Sequence, residues 1–118
     1  MEEINLRNYA YLGDAVWELF VRNITILRTQ NANDLHKITT DRVNAKFQHD
    51  LLMAIQTSLT KEELELMRRG RNLPVPVARK SNQSDYRMAT AFEVLIGWWY
   101  KNNSDRLNEI QKKLIDFL

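Results

Sequence analysis

Two acidic side chains lie next to helix-interior glycines, and this pairing is the first indication of chemistry in the chain. Asp14 follows Gly13 directly, and Gly97 comes one helical turn after Glu93 on the same predicted face. Glycine inside a helix costs roughly 1 kcal/mol relative to alanine, so each position needs a compensating reason. Glycine allows another backbone to approach closely. If the two helices cross at these glycines, Asp14 and Glu93 are brought together.

A converging pair of carboxylates is suited to a hard divalent cation. Mg²⁺ binds through a few carboxylates, keeps several waters and takes further ligands from substrate phosphate. The chain has no cysteine, which excludes disulfides, thiolate nucleophiles and cysteine-bound metals. Its two histidines, His36 and His49, allow acid-base cleavage of RNA as an alternative, but both lie in ordinary helical patterns. The carboxylate pair therefore indicates a site for phosphodiester hydrolysis.

Each acid also has an ordinary structural interpretation. Asp14 can be a solvent-facing acid at the start of a helix, and Glu93 can pair with an arginine such as Arg87; spacing alone favours these interpretations. Glu93 fits this less well, because the segment 91–96 around it is otherwise apolar and an unpartnered charge there is costly.

The elements that must position these residues are helical. Apolar residues recur at helical spacing and no sustained two-residue alternation occurs, so the pattern predicts an all-α fold. A length of 118 residues predicts one catalytic domain over 1–118, without a double-stranded-RNA-binding domain. The predicted helices cover 5–28, 33–57 as one bent helix or two with a cap at 39–41, a capping-box helix from Thr60 to a C-cap at Gly70, Ser84 or Asp85 to about Asn102, and a last helix capped by Ser104.

The predicted inner faces follow the same spacing. On the first helix the apolar stripe lies opposite Asp14, Glu18 and Arg22. The members of that stripe are Leu12, Val16, Leu19, Phe20, Ile24 and Leu27. The last helix should bury Leu107, Ile110, Leu114 and Leu118.

Positive charge gathers in one stretch, although the net charge of +2 by itself identifies no partner. The predicted connection 70–83 contains both prolines, and no acid occurs between Glu65 and Asp85. We expect this basic segment to contact phosphates, and a solvated connection is an equal alternative. The basic segment is defined here by Arg68, Arg69, Arg71, Arg79 and Lys80.

Two longer motifs resemble a known family. Tyr11-Leu12-Gly13-Asp14-Ala15-Val16-Trp17-Glu18-Leu19 is similar to the ribonuclease III signature, in which Leu-Gly-Asp opens a helix with a glutamate one turn later. Ala89-Thr90-Ala91-Phe92-Glu93-Val94-Leu95-Ile96-Gly97 resembles the second acidic motif of that family, and Arg42-Val43-Asn44 resembles a segment between the two. Segments resembling the Mini-III branch in particular are Asn33-Asp34-Leu35-His36-Lys37, Ala45-Lys46, Arg68-Arg69-Gly70-Arg71-Asn72 and Tyr86-Arg87.

The resemblance implies an all-α endoribonuclease that works as a homodimer, uses Mg²⁺, cleaves double-stranded RNA and matures 23S ribosomal RNA precursor. It assigns Asp14 and Glu93 as catalytic metal ligands. Glu18 with its partner Arg22, and Lys46, are carried over as supporting residues. A large-subunit ribosomal protein would be a natural partner for choosing the site on a long precursor.

One departure from the larger ribonucleases III concerns the number of acids. Those enzymes have four acidic positions around the metals, and two of these are occupied here by Ala10 and Thr90. The same reduced set is associated with the Mini-III branch, so the loss favours that branch while leaving the number of metals open.

Two other functions stay open at this point. One is an inactive ribonuclease III fold that binds structured RNA on ribosomes, and the other is a helical protein-interaction domain. For the dimer, we expect some of Trp17, Trp98 and Trp99 at the interface. The absence of cysteine suits a reducing cytoplasm, no apolar run reaches membrane-spanning length, and we expect a cytoplasmic protein without a membrane partner.

Overall fold

The computed structural model describes residues 4–76 and 82–118, and within these ranges every regular element is helical. The all-α prediction is therefore confirmed. None of the helices in the described ranges has the length and apolarity needed to cross a membrane. The α-helices are α1 (Leu6–Thr25), α2 (Ala32–Val43), α3 (Ala45–Ile55), α4 (Lys61–Arg71), α5 (Gln83–Asn102) and α6 (Ser104–Leu114). Short 3₁₀ turns follow α3 at Gln56–Ser58 and α6 at Ile115–Phe117.

Helix α5 is the centre of the fold. It packs against α1, α3, α4 and α6, and its most extensive packing is with α1. From Ala89 to Trp99 it is buried almost all round, as expected for a helix with neighbours on several sides. The site residue Glu93 therefore lies on the most enclosed element of the molecule.

The buried face of α1 differs from the predicted one. Its buried residues recur every fourth position, and Leu19 and Leu27 of the predicted stripe are 63% and 85% exposed. The prediction was wrong because it ranked positions by hydrophobicity, whereas α1 meets α5 through a face that includes a glycine. The buried residues of α1 are Tyr9, Gly13, Trp17, Val21 and Thr25.

Two of the three tryptophans belong to the core. Trp17 and Trp99 are both 0% exposed, so the expectation that they contribute to a dimer interface is wrong. Their ring nitrogens have partners inside the chain: Trp17 Nε1 donates to the carbonyl of Arg42 at 3.0 Å, and Trp99 Nε1 donates to Glu63 at 2.8 Å. Such satisfied N–H groups allow full burial of the indoles. Trp98 is partly exposed and packs at the edge of the core.

The helix starts use caps that the sequence prediction identified only in part. The capping box of Thr60 and Glu63 is present, as predicted. Residues 33–57 form two helices, but the boundary lies at Asn44, whose side chain accepts a hydrogen bond from the backbone of Phe47, rather than at 39–41. Thr39 is buried instead and its hydroxyl bonds that of Thr25 at 2.9 Å.

Three further boundary predictions need correction. Helix α5 follows Asn82 in the left-handed conformation, without a side-chain cap from Ser84 or Asp85. Asn103, not Ser104, caps α6. Gly70 is not a C-cap: it lies inside α4, where it packs closely against α5.

Candidate active site

Helices α1 and α5 cross at two glycines in backbone contact. A β-carbon built on Gly13 would lie 1.8 Å from the carbonyl oxygen of Glu93, and one built on Gly97 would lie 2.0 Å from the carbonyl oxygen of Tyr9. Neither position has room for any side chain. The compensation predicted for these helix-interior glycines is therefore a close helix crossing.

The crossing places the carboxyl groups of Asp14 and Glu93 side by side. Asp14 is exposed and Glu93 is partly buried. Burial, followed by the hydrogen bond and the negative charge of Asp14, raises the pKa of Glu93 to about 8. Two carboxylates in a partly enclosed position repel each other unless a proton or a cation lies between them. The pair thus has the electrostatic character of a cation site.

The arginine that offered a structural alternative has another role. Arg87 donates to the backbone carbonyls of Arg71 at 3.3 Å and Leu73 at 3.4 Å, holding the chain after α4. Within 4–76 and 82–118, no basic side chain forms an ion pair with Glu93. The interpretation of Glu93 as half of a salt bridge with Arg87 therefore fails.

A third polar side chain reaches this position from α3. Gln48 is only 2% exposed, and its amide lies close enough to Glu93 to lower the pKa of that carboxyl. Sequence reasoning missed it. The signal was available, because Gln48 shares the helical spacing of the buried residues Leu51, Leu52 and Ile55 and should therefore face the core.

Comparison with known proteins agrees with this geometry. The model of the ribonuclease III domain family matches residues 7–104. The chain belongs to the ribonuclease III family. Its relatives place it in the Mini-III branch: it is 40% identical to the Mini-ribonuclease 3 of Clostridium tetani, over 98% of this chain and 80% of the relative. It is also 41% identical to the Mini-ribonuclease 3 of Gloeobacter violaceus, over 93% of this chain and 82% of the relative.

The fold has a solved counterpart as well. A crystal structure of a protein from Fusobacterium nucleatum matches 98% of this chain and 94% of its own length, with a TM-score of 0.84 and 29% identity. The match covers all helices described above. As a Mini-III member of the ribonuclease III family, the chain is an endoribonuclease.

The two positions at which larger family members have further acids cannot ligate a metal here. Thr90 is buried and donates its hydroxyl to the carbonyl of Tyr86 at 2.9 Å, and Ala10 has no polar side chain. In the described part of the chain, no cluster of three or more acidic or histidine side chains is placed to hold a metal. Any cation at this site would thus take the remainder of its ligands from water and substrate.

The histidines do not form a joint site. His49 on α3 pairs with Asp85 of α5 through Nδ1 at 2.8 Å, whereas His36 on α2 lines a cleft between α1 and α2. The geometry gives no support to acid-base cleavage by two histidines.

The residues carried over as supporting lie on exposed helix faces. Glu18 and Arg22 form an i,i+4 ion pair at 3.0 Å on α1. Lys46 pairs with Asp50 at 3.3 Å, one turn further along α3. Exposed pairs of this kind contribute a few tenths of a kcal/mol to helix stability, roughly 0.3–0.5 kcal/mol each.

The basic segment is described only in part. Arg68 and Arg69 are exposed in the last turn of α4, and Arg68 binds Glu65 through Nε at 2.9 Å. Arg71 ends the helix and is half-buried. Arg79 and Lys80 lie outside the described residues.

Proposed function

We propose that this endoribonuclease is Mg²⁺-dependent and cuts double-stranded RNA, with Asp14 and Glu93 as the metal ligands and catalytic residues. The observation that carries the proposal is the pair itself: a partly buried glutamate and an exposed aspartate meet at the crossing of α1 and α5. A carboxyl group beside another carboxyl, without an ion-pairing base among the described residues, is what a divalent cation would stabilise in its ionised form.

The chemistry of the donors fits magnesium better than softer metals. The chain has no cysteine, and the polar groups at the pair are two carboxylates and one amide. Hard oxygen ligands of this kind suit Mg²⁺, and His49 is held by Asp85 instead. When bound, the cation would activate water and stabilise charge on the phosphate.

The two acids have different access to substrate. Asp14 is exposed, so an RNA phosphate can approach it directly. Glu93 lies deeper, on the helix that is buried almost all round, so its backbone position is fixed by the core. A rigid inner ligand and an accessible outer one are a suitable arrangement for orienting a phosphodiester group.

We further propose a homodimer, because two strands need two sites and a two-fold dimer supplies one for each. Exposed apolar residues on α1 support an interface more than the tryptophans do. Tyr11 is 84% exposed and lies one turn before Asp14, and Leu19 and Leu27 are also exposed. Such surface on one helix is typical of an interaction site.

The remaining parts of the proposal concern the substrate. A-form RNA is recognised through its shape, phosphates and 2′-hydroxyls, and the basic segment can contact it without reading sequence. The Mini-III relatives support 23S ribosomal RNA precursor as the natural substrate, in the cytoplasm, with a large-subunit ribosomal protein helping to select the cleavage site.

One assay tests the central proposal. A long RNA duplex is incubated with the protein, with and without Mg²⁺, and the products are resolved on a denaturing gel beside those of Asp14→Asn. Cleavage that requires both Mg²⁺ and Asp14 supports the proposal. Binding without cleavage would instead favour an RNA-binding module that has lost activity, and cleavage by the variant would refute the assignment of Asp14.

A further inference from the structure

Gln48 combines deep burial with an unsatisfied polar atom. Its side chain is 2% exposed, and among the described residues its Nε2 is the one buried side-chain nitrogen or oxygen without a hydrogen-bond partner. A buried donor without an acceptor lowers stability, so folded proteins rarely retain one without another use for it. A methionine would fill a similar volume without this cost.

The position of Gln48 indicates what that use is. Helix α3 packs against α5, and the amide of Gln48 lies beside the carboxyl of Glu93. It approaches closely enough to influence the carboxyl electrostatically, yet Nε2 makes no hydrogen bond of acceptable geometry. The donor is therefore next to its acceptor but not engaged with it.

We propose that Gln48 is a positioning residue for the metal site, donating a hydrogen bond from Nε2 to the ionised carboxylate of Glu93 and so fixing the oxygen that faces the cation. This inference rests on the proposed metal site at Asp14 and Glu93. It adds a residue from a third helix, outside both acidic motifs of the sequence.

The change in Glu93 on metal binding explains why the bond is absent in the metal-free chain. In the protonated acid one oxygen carries the proton, and the group faces Asp14. In the ionised form both oxygens accept, and a hydrogen bond to a charged acceptor is roughly twice as strong as one between neutral groups. Carboxylates that bind metals are commonly held by such neighbouring donors, whose loss weakens metal affinity or activity.

A purely structural role would lead to the opposite expectation. If Gln48 only filled space, an apolar side chain of similar size would serve as well or better, in both the metal-free and the metal-bound protein. If it positions Glu93, that substitution keeps or raises metal-free stability but weakens metal binding. The two quantities therefore separate the interpretations.

The test compares Gln48→Met with the wild-type chain and with Gln56→Met as a matched control. Gln56 lies just beyond the same helix in the turn Gln56–Ser58 and is half-buried, so the chemical change is the same away from the site. Mn²⁺ binding is measured by titration calorimetry, and thermal unfolding is measured in chelator. We expect Gln48→Met to weaken Mn²⁺ affinity about 10- to 100-fold, with a metal-free melting temperature equal to or above that of the wild type. We expect Gln56→Met to leave Mn²⁺ affinity unchanged.

The outcomes are distinguishable. Mn²⁺ affinity within twofold of wild type in folded Gln48→Met would overturn this inference while leaving the metal site intact. If wild type shows no Mn²⁺ binding that Asp14→Asn removes, the proposed metal site itself fails. Should Gln48→Met lower metal-free stability, the smaller Gln48→Leu is measured in the same way; reduced metal-free stability in both variants would show that the amide supports the fold and would overturn the inference.

Discussion

The carbonyl oxygen of Glu93 lies 1.8 Å from the point at which a side chain at Gly13 would begin. The closest approach of two helices and the candidate active site are thus one feature of the molecule. Asp14 follows Gly13 in the chain, so the backbone contact that brings α1 onto α5 also sets the position of Asp14 relative to Glu93. Stability of the crossing and geometry of the site should therefore change together.

The first prediction concerns the glycines. Gly13→Ala and Gly97→Ala should each destabilise the fold by about 3 kcal/mol or more, because the new methyl group meets backbone that cannot move without separating the helices. Gly70→Ala is the control, since its β-carbon would lie 3.1 Å from the nearest atom of α5 and should cost only about 1 kcal/mol. Chemical denaturation measures all three variants. Equal effects at Gly13 and Gly70 would contradict the crossing.

The second prediction concerns the acids. Asp14→Asn and Glu93→Gln should each reduce Mg²⁺-dependent cleavage at least about 1000-fold, because each removes an anionic ligand while keeping the size of the side chain. Helical content and oligomeric state should be unchanged, as checked by circular dichroism and sedimentation. Substantial cleavage by either folded variant would refute the site assignment.

The third prediction follows from the pKa of Glu93 and has the opposite sign for stability. In the metal-free chain this pKa is raised from 4.5 to about 8, so the folded state retains a proton that the unfolded state has lost between these pH values. The stabilising contribution is complete below pH 4.5 and is lost as the pH rises through about 8.

Glu93→Gln should therefore match the wild type near pH 4.5 and be more stable than it near pH 8.5, when both are measured in chelator. A difference of roughly 1 kcal/mol or more is expected, since each unit of pKa shift corresponds to about 1.4 kcal/mol. Saturating Mg²⁺ should reduce the difference by stabilising the ionised wild type. An unchanged difference across this pH range would mean that Glu93 is ionised in the metal-free fold.

The site could be predicted further from the sequence than the surface around it. Gly13 and Gly97 are costly inside helices, and that cost led directly to the crossing and to the meeting of Asp14 with Glu93. Gln48 escaped prediction because sequence analysis looked for charge, whereas its signal was a polar residue at a buried helical position. A neutral amide becomes informative only when its neighbours are known.

The inner face of α1 could not be found from hydrophobicity because the tightest packing uses the smallest residue. Gly13 and Thr25 are buried, while Leu19 and Leu27 are exposed. A stripe that includes glycine has low apolarity, so a ranking by side chain rotates the helix incorrectly. The same effect made Gly70 resemble a terminal cap when its lack of a side chain is used for packing against α5.

The fourth prediction separates structural from catalytic carboxylates. Glu63 is buried and accepts hydrogen bonds from Trp99, from the Thr60 backbone and from Arg106, whose guanidinium lies 2.8 Å away. Burial by itself would raise the pKa of Glu63, but the bonds from Arg106, Thr60 and Trp99 lower it to about 2. Glu63→Gln should destabilise the fold by about 3 kcal/mol, as expected when one partner of a buried pair is removed.

The sign of the pH dependence is opposite to that of Glu93. The contribution of Glu63 is present above pH 4.5 and is lost as the pH falls towards 2, so the gap between wild type and Glu63→Gln should close in acid. Cleavage by the folded fraction at pH 7 should be within a few-fold of wild type. A loss of cleavage as large as that of Glu93→Gln, at full folding, would show that Glu63 takes part in the chemistry.

The last prediction concerns the basic segment and separates binding from cleavage. Neutralising Arg68, Arg69, Arg71, Arg79 and Lys80 together should weaken duplex binding and flatten its salt dependence, because each lost phosphate contact removes roughly one released counterion from the slope. Single-turnover cleavage at saturating RNA should fall much less than binding, because the segment positions the duplex while the acids carry the chemistry.

The control for that experiment must account for the structural partners of the segment. Arg68 binds Glu65, and Arg69 and Arg71 lie in the last turn of α4, where cations also favour the helix dipole, so neutralisation can lower stability. Binding is therefore compared at matched folded fraction with a variant in which three exposed lysines elsewhere, Lys101, Lys112 and Lys113, are neutralised. If the duplex contacts the basic segment, the slope per charge removed should change more there than at these lysines. An unchanged slope in the five-residue variant would make the segment an ordinary solvated connection and place the duplex on another face.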